Sequence, residues 1–260
     1  PGVHYLGCGD VTDVANCLAE TGHPGVVVDG DEGQFSVLQQ RFGGRADVEL
    51  RLGWVNPTGA RSAVLDALQQ LRRQQIVVAG AGLSGAHSDA GDADDIDLLK
   101  VDVDNCDCCY TEELLKAGLR PRLIHAEVHS LIPPPLAFRP QVRSDLSSVI
   151  RSVEAGAYHL HCSLSAFLSM LLPYGYRLAH LVSRDAVFVR EDCAVFPWIG
   201  ADTADGISAW QRGYTCHPLR HMKHEEYEYT GTFAYDFRRW SDDQLLLEER
   251  LALIEMHLTS

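Results

Sequence analysis

Ile96-Asp97-Leu98-Leu99-Lys100-Val101-Asp102-Val103 is the strongest strand signal in the chain, and it runs directly into Asp104-Asn105-Cys106-Asp107. A buried strand that ends in carboxylates is where an open α/β sheet places its ligands. Alternation along the strand puts Asp102 and Asp104 on one face, and two carboxylates side by side call for a cation, a proton or a substrate amine between them. After this strand, Tyr110 to Ala117 reads as a helix stopped by Gly118, and Leu123 to Val128 as the next strand, with Glu127 and His129 two apart at its end.

Working back toward the N-terminus, the same strand–helix alternation repeats. Val3-His4-Tyr5-Leu6 predicts a short strand, Gly7-Cys8-Gly9-Asp10 a tight turn, and Val11 to Glu20 a helix with an apolar stripe at Val11, Val14, Ala15 and Leu18. Gly22-His23-Pro24-Gly25 ends it. Val26-Val27-Val28-Asp29 is a β-branched run suited to a strand buried on both faces. Phe35, Leu38 and Phe42 mark a helix, Val48 to Leu52 a strand, and Ala60 to Arg73 another helix. Residues 79–95, rich in Gly, Ala, Ser and Asp, predict a loop.

Toward the C-terminus, Pro133-Pro134-Pro135 marks a loop and Leu164 to Leu172 a helix. Tyr176 to Val182 and Ala186 to Arg190 are joined by so short a link that the pair must be antiparallel. Repeated strand–helix units predict a doubly wound, mostly parallel α/β sheet, here with an antiparallel closing hairpin. The expected organisation is an α/β domain over residues 1–192 and an aromatic, His-rich extension over 193–260 that closes with a helix from Ser241 to Leu258. Trp198, Trp210 and Tyr214 of that extension suit either a cover for the active site or a dimer contact, so a homo-oligomer is left open.

Composition narrows the function classes. The 260 residues are 46% hydrophobic and 22% charged, which allows a sizeable core, and the formal net charge is −14. Arg72-Arg73 and Arg238-Arg239 are the densest basic runs, too short for a phosphate backbone or an anionic membrane. No apolar stretch approaches the roughly 20 residues of a membrane helix. A small-molecule substrate and a cytoplasmic setting fit better. The chain begins at Pro1, and a processed start is the expectation. The eight cysteines are irregularly spaced and read as reduced thiols.

Four constellations carry chemistry. In the first, Gly7, Cys8 and Gly9 lead from a strand into a helix, and Asp29 follows about twenty residues on; glycines let backbone approach a ligand, and the acid accepts ribose hydroxyls. With no third glycine, a nucleoside-type cofactor fits better than a pyrophosphate. In the second, Asp102, Asp104, Glu127 and His129 offer the oxygen and nitrogen donors that Mg²⁺ or Mn²⁺ prefers. A metal-free acid/base role for the same groups and a solvated acidic rim remain open beside it. In the third, Cys106-x-Cys108-Cys109 invites zinc, but no second matching pair follows, and packing cysteines are the better reading. In the fourth, His217-x3-His221-x2-His224 lacks the acid of a zinc-protease helix and reads as a surface cluster, as does His159-x-His161.

Asp97-Leu98-Leu99-Lys100-Val101-Asp102-Val103-Asp104 resembles the "DLLKIDVEG" segment of FkbM-type methyltransferases, which use S-adenosylmethionine. Gly25 to Asp29 resembles the family's second strand and Ile124-His125-Ala126-Glu127 its fifth. Pro173 to Leu178, followed by Asp185 to Arg190, resembles its closing hairpin. The resemblance covers roughly residues 3–192. It implies a Rossmann-like class I methyltransferase sheet and methyl transfer, usually to oxygen. Gly7, Cys8 and Gly9 would then cradle the methionine part, Asp29 the ribose, and Asp102 and Asp104 the acceptor side, with Asp102, Asp104, His129 or a metal serving the acceptor's proton. Tyr5 replaces an expected acid, Val11 a common glycine and Asn105 the glycine after the second acid. Tyr5 and Val11 motivate one rival, a catalytically silent binding or regulatory domain on the same fold; the acidic strand ends support a second, a metal-dependent enzyme of another reaction type.

Overall fold

The computed structural model describes residues 18–53, 56–80, 95–103, 105–129, 132–142, 161–193 and 206–216, with 245, 246, 248, 249 and 252. By compactness the chain divides into one unit of Pro1–Ala126 with Val142–Leu146 and a second of Glu127–Gln141 with Ser147–Ser260. The sequence boundary at residue 192 falls inside the second.

In the first unit, residues 18–20 close a helix that stops at Gly22, whose φ of +85° needs glycine. Strand β1 (Gly25–Asp29) is buried at all five positions, as its unbroken valine run predicts. It pairs in parallel with β2 (Val48–Leu52), Gly25 opposite Val48 and Asp29 opposite Leu52. Between them lies α1 (Glu32–Phe42). Asp31 caps it by accepting the Gln34 N–H at 2.8 Å, Glu32 and Arg41 complement its dipole, and Phe35, Leu38 and Phe42 are its buried stripe. Leu38 and Phe42 join Ala19, Val27 and Val48 in one cluster, with Leu98 of the next strand packed against it. Each of these large side chains contributes roughly 1.5–3 kcal/mol by leaving water.

Helix α2 (Pro57–Gly80) is longer at both ends than the predicted Ala60–Arg73. Pro57 occupies the first helical position, where its missing N–H costs nothing, and the Asn56 side chain accepts the Gly59 N–H at 2.8 Å. Ala60, Val64, Ala67, Leu68 and Leu71 are its buried stripe. No glycine or proline interrupts the helix from Ala60 to Ala79, so residues 79 and 80 of the expected loop are helical, and residues 81–94 lie outside the described residues.

Strand β3 (Asp95–Val101) ends two residues before the predicted Val103. Its parallel pairing with β4 (Arg120–Glu127) stops at Val101 opposite Ala126. The Val103 N–H instead bonds the Asp107 carboxylate at 3.1 Å, so this backbone donor serves the turn and not the sheet. Asp107 opens α3 (Asp107–Lys116), three residues before the expected start, where a carboxylate suits the positive helix end.

In the second unit, α4 (Leu164–Leu171) starts at Ser163, which is fully buried. The Ser163 hydroxyl accepts from Phe138 N–H at 2.8 Å and Ala166 N–H at 3.3 Å and donates to the Leu136 carbonyl at 2.7 Å. One side chain thus ties the loop after the three prolines to the helix. Strands β5 (Tyr176–Val182) and β6 (Asp185–Arg190) form the expected antiparallel hairpin around Ser183-Arg184. Phe167 of α4 stacks on Phe188 of β6, ring centroids 5.7 Å apart. A further turn, Ile207–Trp210 continuing through a π segment to Thr215, lies against β5. Gly213 permits this: a Cβ there would sit 2.1 Å from the Leu181 carbonyl oxygen. Trp210 and Tyr214, expected as a site cover or dimer contact, are buried within this unit.

The described residues therefore form mixed α/β structure, with parallel pairs in the first unit and an antiparallel hairpin in the second. Among them no helix is long and apolar enough to cross a membrane. The predicted strand Val3–Leu6, most of the helix Val11–Glu20 and most of the terminal helix Ser241–Leu258 lie outside the described residues.

Candidate functional site

Asp29 is the last residue of β1, and parallel pairing brings the end of β2 beside it: the Gly53 N–H donates to the Asp29 carbonyl at 2.9 Å. The side chain turns inward and is only 6% exposed. Its Oδ1 accepts the Asp31 N–H at 2.7 Å, while Oδ2 is buried with no hydrogen-bond partner. A carboxylate oxygen left so in a protein interior is costly, and the cost is relieved by a donor from a ligand. Burial pushes the Asp29 pKa above the usual carboxylate range; the Asp31 and Gly30 N–H groups pull against it, and the nearby Asp31 charge reinforces it. Gly7, Cys8 and Gly9, the expected partners of Asp29 around a cofactor, lie outside the described residues.

At the end of β3, Lys100 and Asp102 share a face. The Lys100 Nζ lies 2.9 Å from Asp102 Oδ2, and Lys100 is 5% exposed whereas Asp102 is half-buried. The cation that the acidic strand end calls for is thus a lysine two residues back. Alternation alone places residues 100 and 102 together, so the pair was available to sequence reasoning. Asp104 lies outside the described residues. Asn105, in place of a glycine, is fully buried and donates to the Tyr110 hydroxyl at 3.4 Å. Burial pushes the Tyr110 phenol up to about 12 against that hydrogen bond, with the Asp107 charge adding to the rise. Asn105 and Asp107 thereby hold the turn between β3 and α3.

In the second unit, Glu127 ends β4 with its carboxylate divided between two partners. Oε2 faces His161 Nε2 at 3.4 Å and Oε1 faces the Arg184 guanidinium at 3.5 Å. His129 is buried, donates its backbone N–H to the Cys162 carbonyl at 2.8 Å, and meets Phe138 edge-on with centroids 6.4 Å apart. His161 corrects the expectation of a surface histidine: it is 7% exposed and turned onto Glu127. Nothing in its local pattern signals this, because a long-range contact creates it. His159 and the cluster His217, His221 and His224 lie outside the described residues.

The described members of the expected Mg²⁺ or Mn²⁺ set fit a hard ion poorly. Asp102 is turned to Lys100, and both oxygens of Glu127 are turned to protein nitrogen. The cysteines also depart from expectation. Cys106 and Cys109 are joined in a disulfide, Cys108 and Cys162 are each disulfide-bonded, and the free thiols among the described residues are Cys193 and Cys216. The pairing follows from placing Cys106 at the cap and Cys109 in the first turn of one helix, Cα atoms 5.2 Å apart, within bridging range.

Compared with protein-family models and with curated proteins, the chain matches none.

Proposed function

We propose that this chain is an S-adenosylmethionine-dependent methyltransferase that methylates an oxygen of a small molecule. The observation that carries the reading is the Asp29 carboxylate. It stands at the end of a buried parallel strand, holds one oxygen on its own turn and keeps the other buried without a partner. A ribose offers two neighbouring hydroxyl donors, the group such an oxygen lacks, and an acid in this position is how doubly wound folds grip a ribose.

Strand order adds support. In the order 3-2-1-4-5-6 the first strand separates the second from the fourth. With Val3–Leu6 as the first strand, β1 to β4 become the second to fifth. The pairs β1–β2 and β3–β4 observed among the described residues are two of those this order contains. The resemblance of Asp97–Asp104 to the methyltransferase segment points the same way.

In this reading the cofactor supplies an electrophilic methyl group on a sulfonium. Asp29 and the turn Gly7–Gly9 bind and orient it. Lys100 fixes the direction of the Asp102 carboxylate, and Asp102 is the group to which the acceptor's proton can pass. At the acidic strand ends, Asp102 and Glu127 are already turned to protein nitrogens, so this reading assigns them no metal.

Isothermal calorimetry with S-adenosylmethionine and S-adenosylhomocysteine tests the reading. Saturable one-to-one binding of both, unchanged by a chelator, is expected. Absence of heat with either ligand overturns it in favour of a domain that keeps the fold without the cofactor.

A further inference from the structure

Helix α3 begins with a two-cysteine arrangement that the methyl-transfer reading does not use. Cys106 is its N-cap and Cys109 lies one turn in, separated by two residues and joined by a disulfide. The two sulfurs differ in access: Cys106 is fully buried, whereas Cys109 is half-exposed. We propose that Cys106–Cys109 is a thiol–disulfide exchange site, with Cys109 as the sulfur attacked by an external dithiol and Cys106 as the leaving group.

The arrangement suits each role. Exchange needs access at the attacked sulfur and a leaving thiolate that is stabilised. Cys109 provides the access. At the N-cap of a ten-residue helix, a Cys106 thiolate faces the positive end of the dipole.

In the forward step a thiolate of the dithiol attacks Cys109 Sγ. The Cys106–Cys109 bond breaks, its electron pair leaves on Cys106, and Cys106 takes a proton from solvent. The second thiolate of the dithiol then attacks its own sulfur in the mixed disulfide and releases Cys109, which is protonated in turn. The pair gains two electrons and two protons, and the dithiol becomes a disulfide. Because Asp107, next to Cys106, holds the Val103 N–H, exchange here alters the tether on the end of β3.

The test is independent of any methyl transfer. The native chain is equilibrated in dithiothreitol redox buffers and quenched with acid, and its thiols are alkylated and mapped by mass spectrometry. Cys106 and Cys109 are expected to pass together from disulfide to two alkylated thiols, as one two-electron couple, while Cys193 and Cys216 are alkylated throughout. With glutathione disulfide, a reduced Cys106→Ser chain is expected to hold a mixed disulfide on Cys109, and Cys109→Ser to show loss of that adduct. If either variant fails to fold, the wild-type titration decides alone. A pair that is reduced only after denaturation overturns the proposal. So does reduced protein whose Cys106 and Cys109 are shielded from alkylation by stoichiometric zinc.

Discussion

The Lys100 ammonium sits 2.9 Å from the Asp102 carboxylate, and it is the lysine, not the acid, that is deeply buried. That asymmetry sets what each half of the pair costs to remove. Asp102→Asn removes the carboxylate charge 2.9 Å from a buried cation and is expected to destabilise the fold by about 3 kcal/mol. Lys100→Met leaves an acid that solvent already reaches, and its cost is expected to stay near ~1 kcal/mol. Urea unfolding of the two variants checks the order; equal losses would mean that the pair acts as a surface ion pair.

Asp29→Asn separates binding from stability. The raised Asp29 pKa means that the folded chain binds this proton more tightly than the unfolded chain. Its contribution to stability is therefore fully present below the ordinary value of 3.8 and is lost as pH rises through the folded pKa. At neutral pH the ionised, buried carboxylate is a cost. The asparagine variant is expected to be at least as stable as wild type at pH 7, to lose that advantage in acid, and to bind S-adenosylhomocysteine about 10- to 100-fold more weakly. Thermal unfolding at the two pH values, with calorimetry at pH 7, measures all three. A destabilised variant with unchanged affinity would assign Asp29 a structural role.

Two small residues hold the second unit. Ser163→Ala removes one hydroxyl that serves Leu136, Phe138 and Ala166, and a loss of about 1–2 kcal/mol is expected. Gly213→Ala drives a methyl into the Leu181 carbonyl, with an expected loss of about 1–3 kcal/mol and broadened resonances along β5. Denaturant titration and amide spectra check both; a silent Gly213→Ala would mean that the Gln211–Thr215 segment is not docked on the hairpin.

What the sequence showed follows from how local each signal is. The valine run of β1, the Phe35–Leu38–Phe42 stripe and the short link at Ser183-Arg184 each encode an element within a few residues, and those elements are present. Asp29 was legible for the same reason, as the acid that ends a strand. The end of β3 was not, because Val103 gives its N–H to a side chain four residues on. Long-range packing hid the burial of His161, Trp210 and Tyr214. The Lys100–Asp102 pair and the Cys106–Cys109 spacing are local signals too, but the sequence offers competing partners beside each, the neighbouring acids for Lys100 and Cys108 between the paired cysteines.

The central claim is that a buried carboxylate oxygen of Asp29 awaits a sugar hydroxyl. A crystal structure after soaking with S-adenosylhomocysteine tests it most directly. The account predicts a ribose hydroxyl about 2.7 Å from Asp29 Oδ2, with backbone of Gly7 to Gly9 against the ligand. Asp29 closed off by a protein group, with the ligand elsewhere or absent, would contradict it.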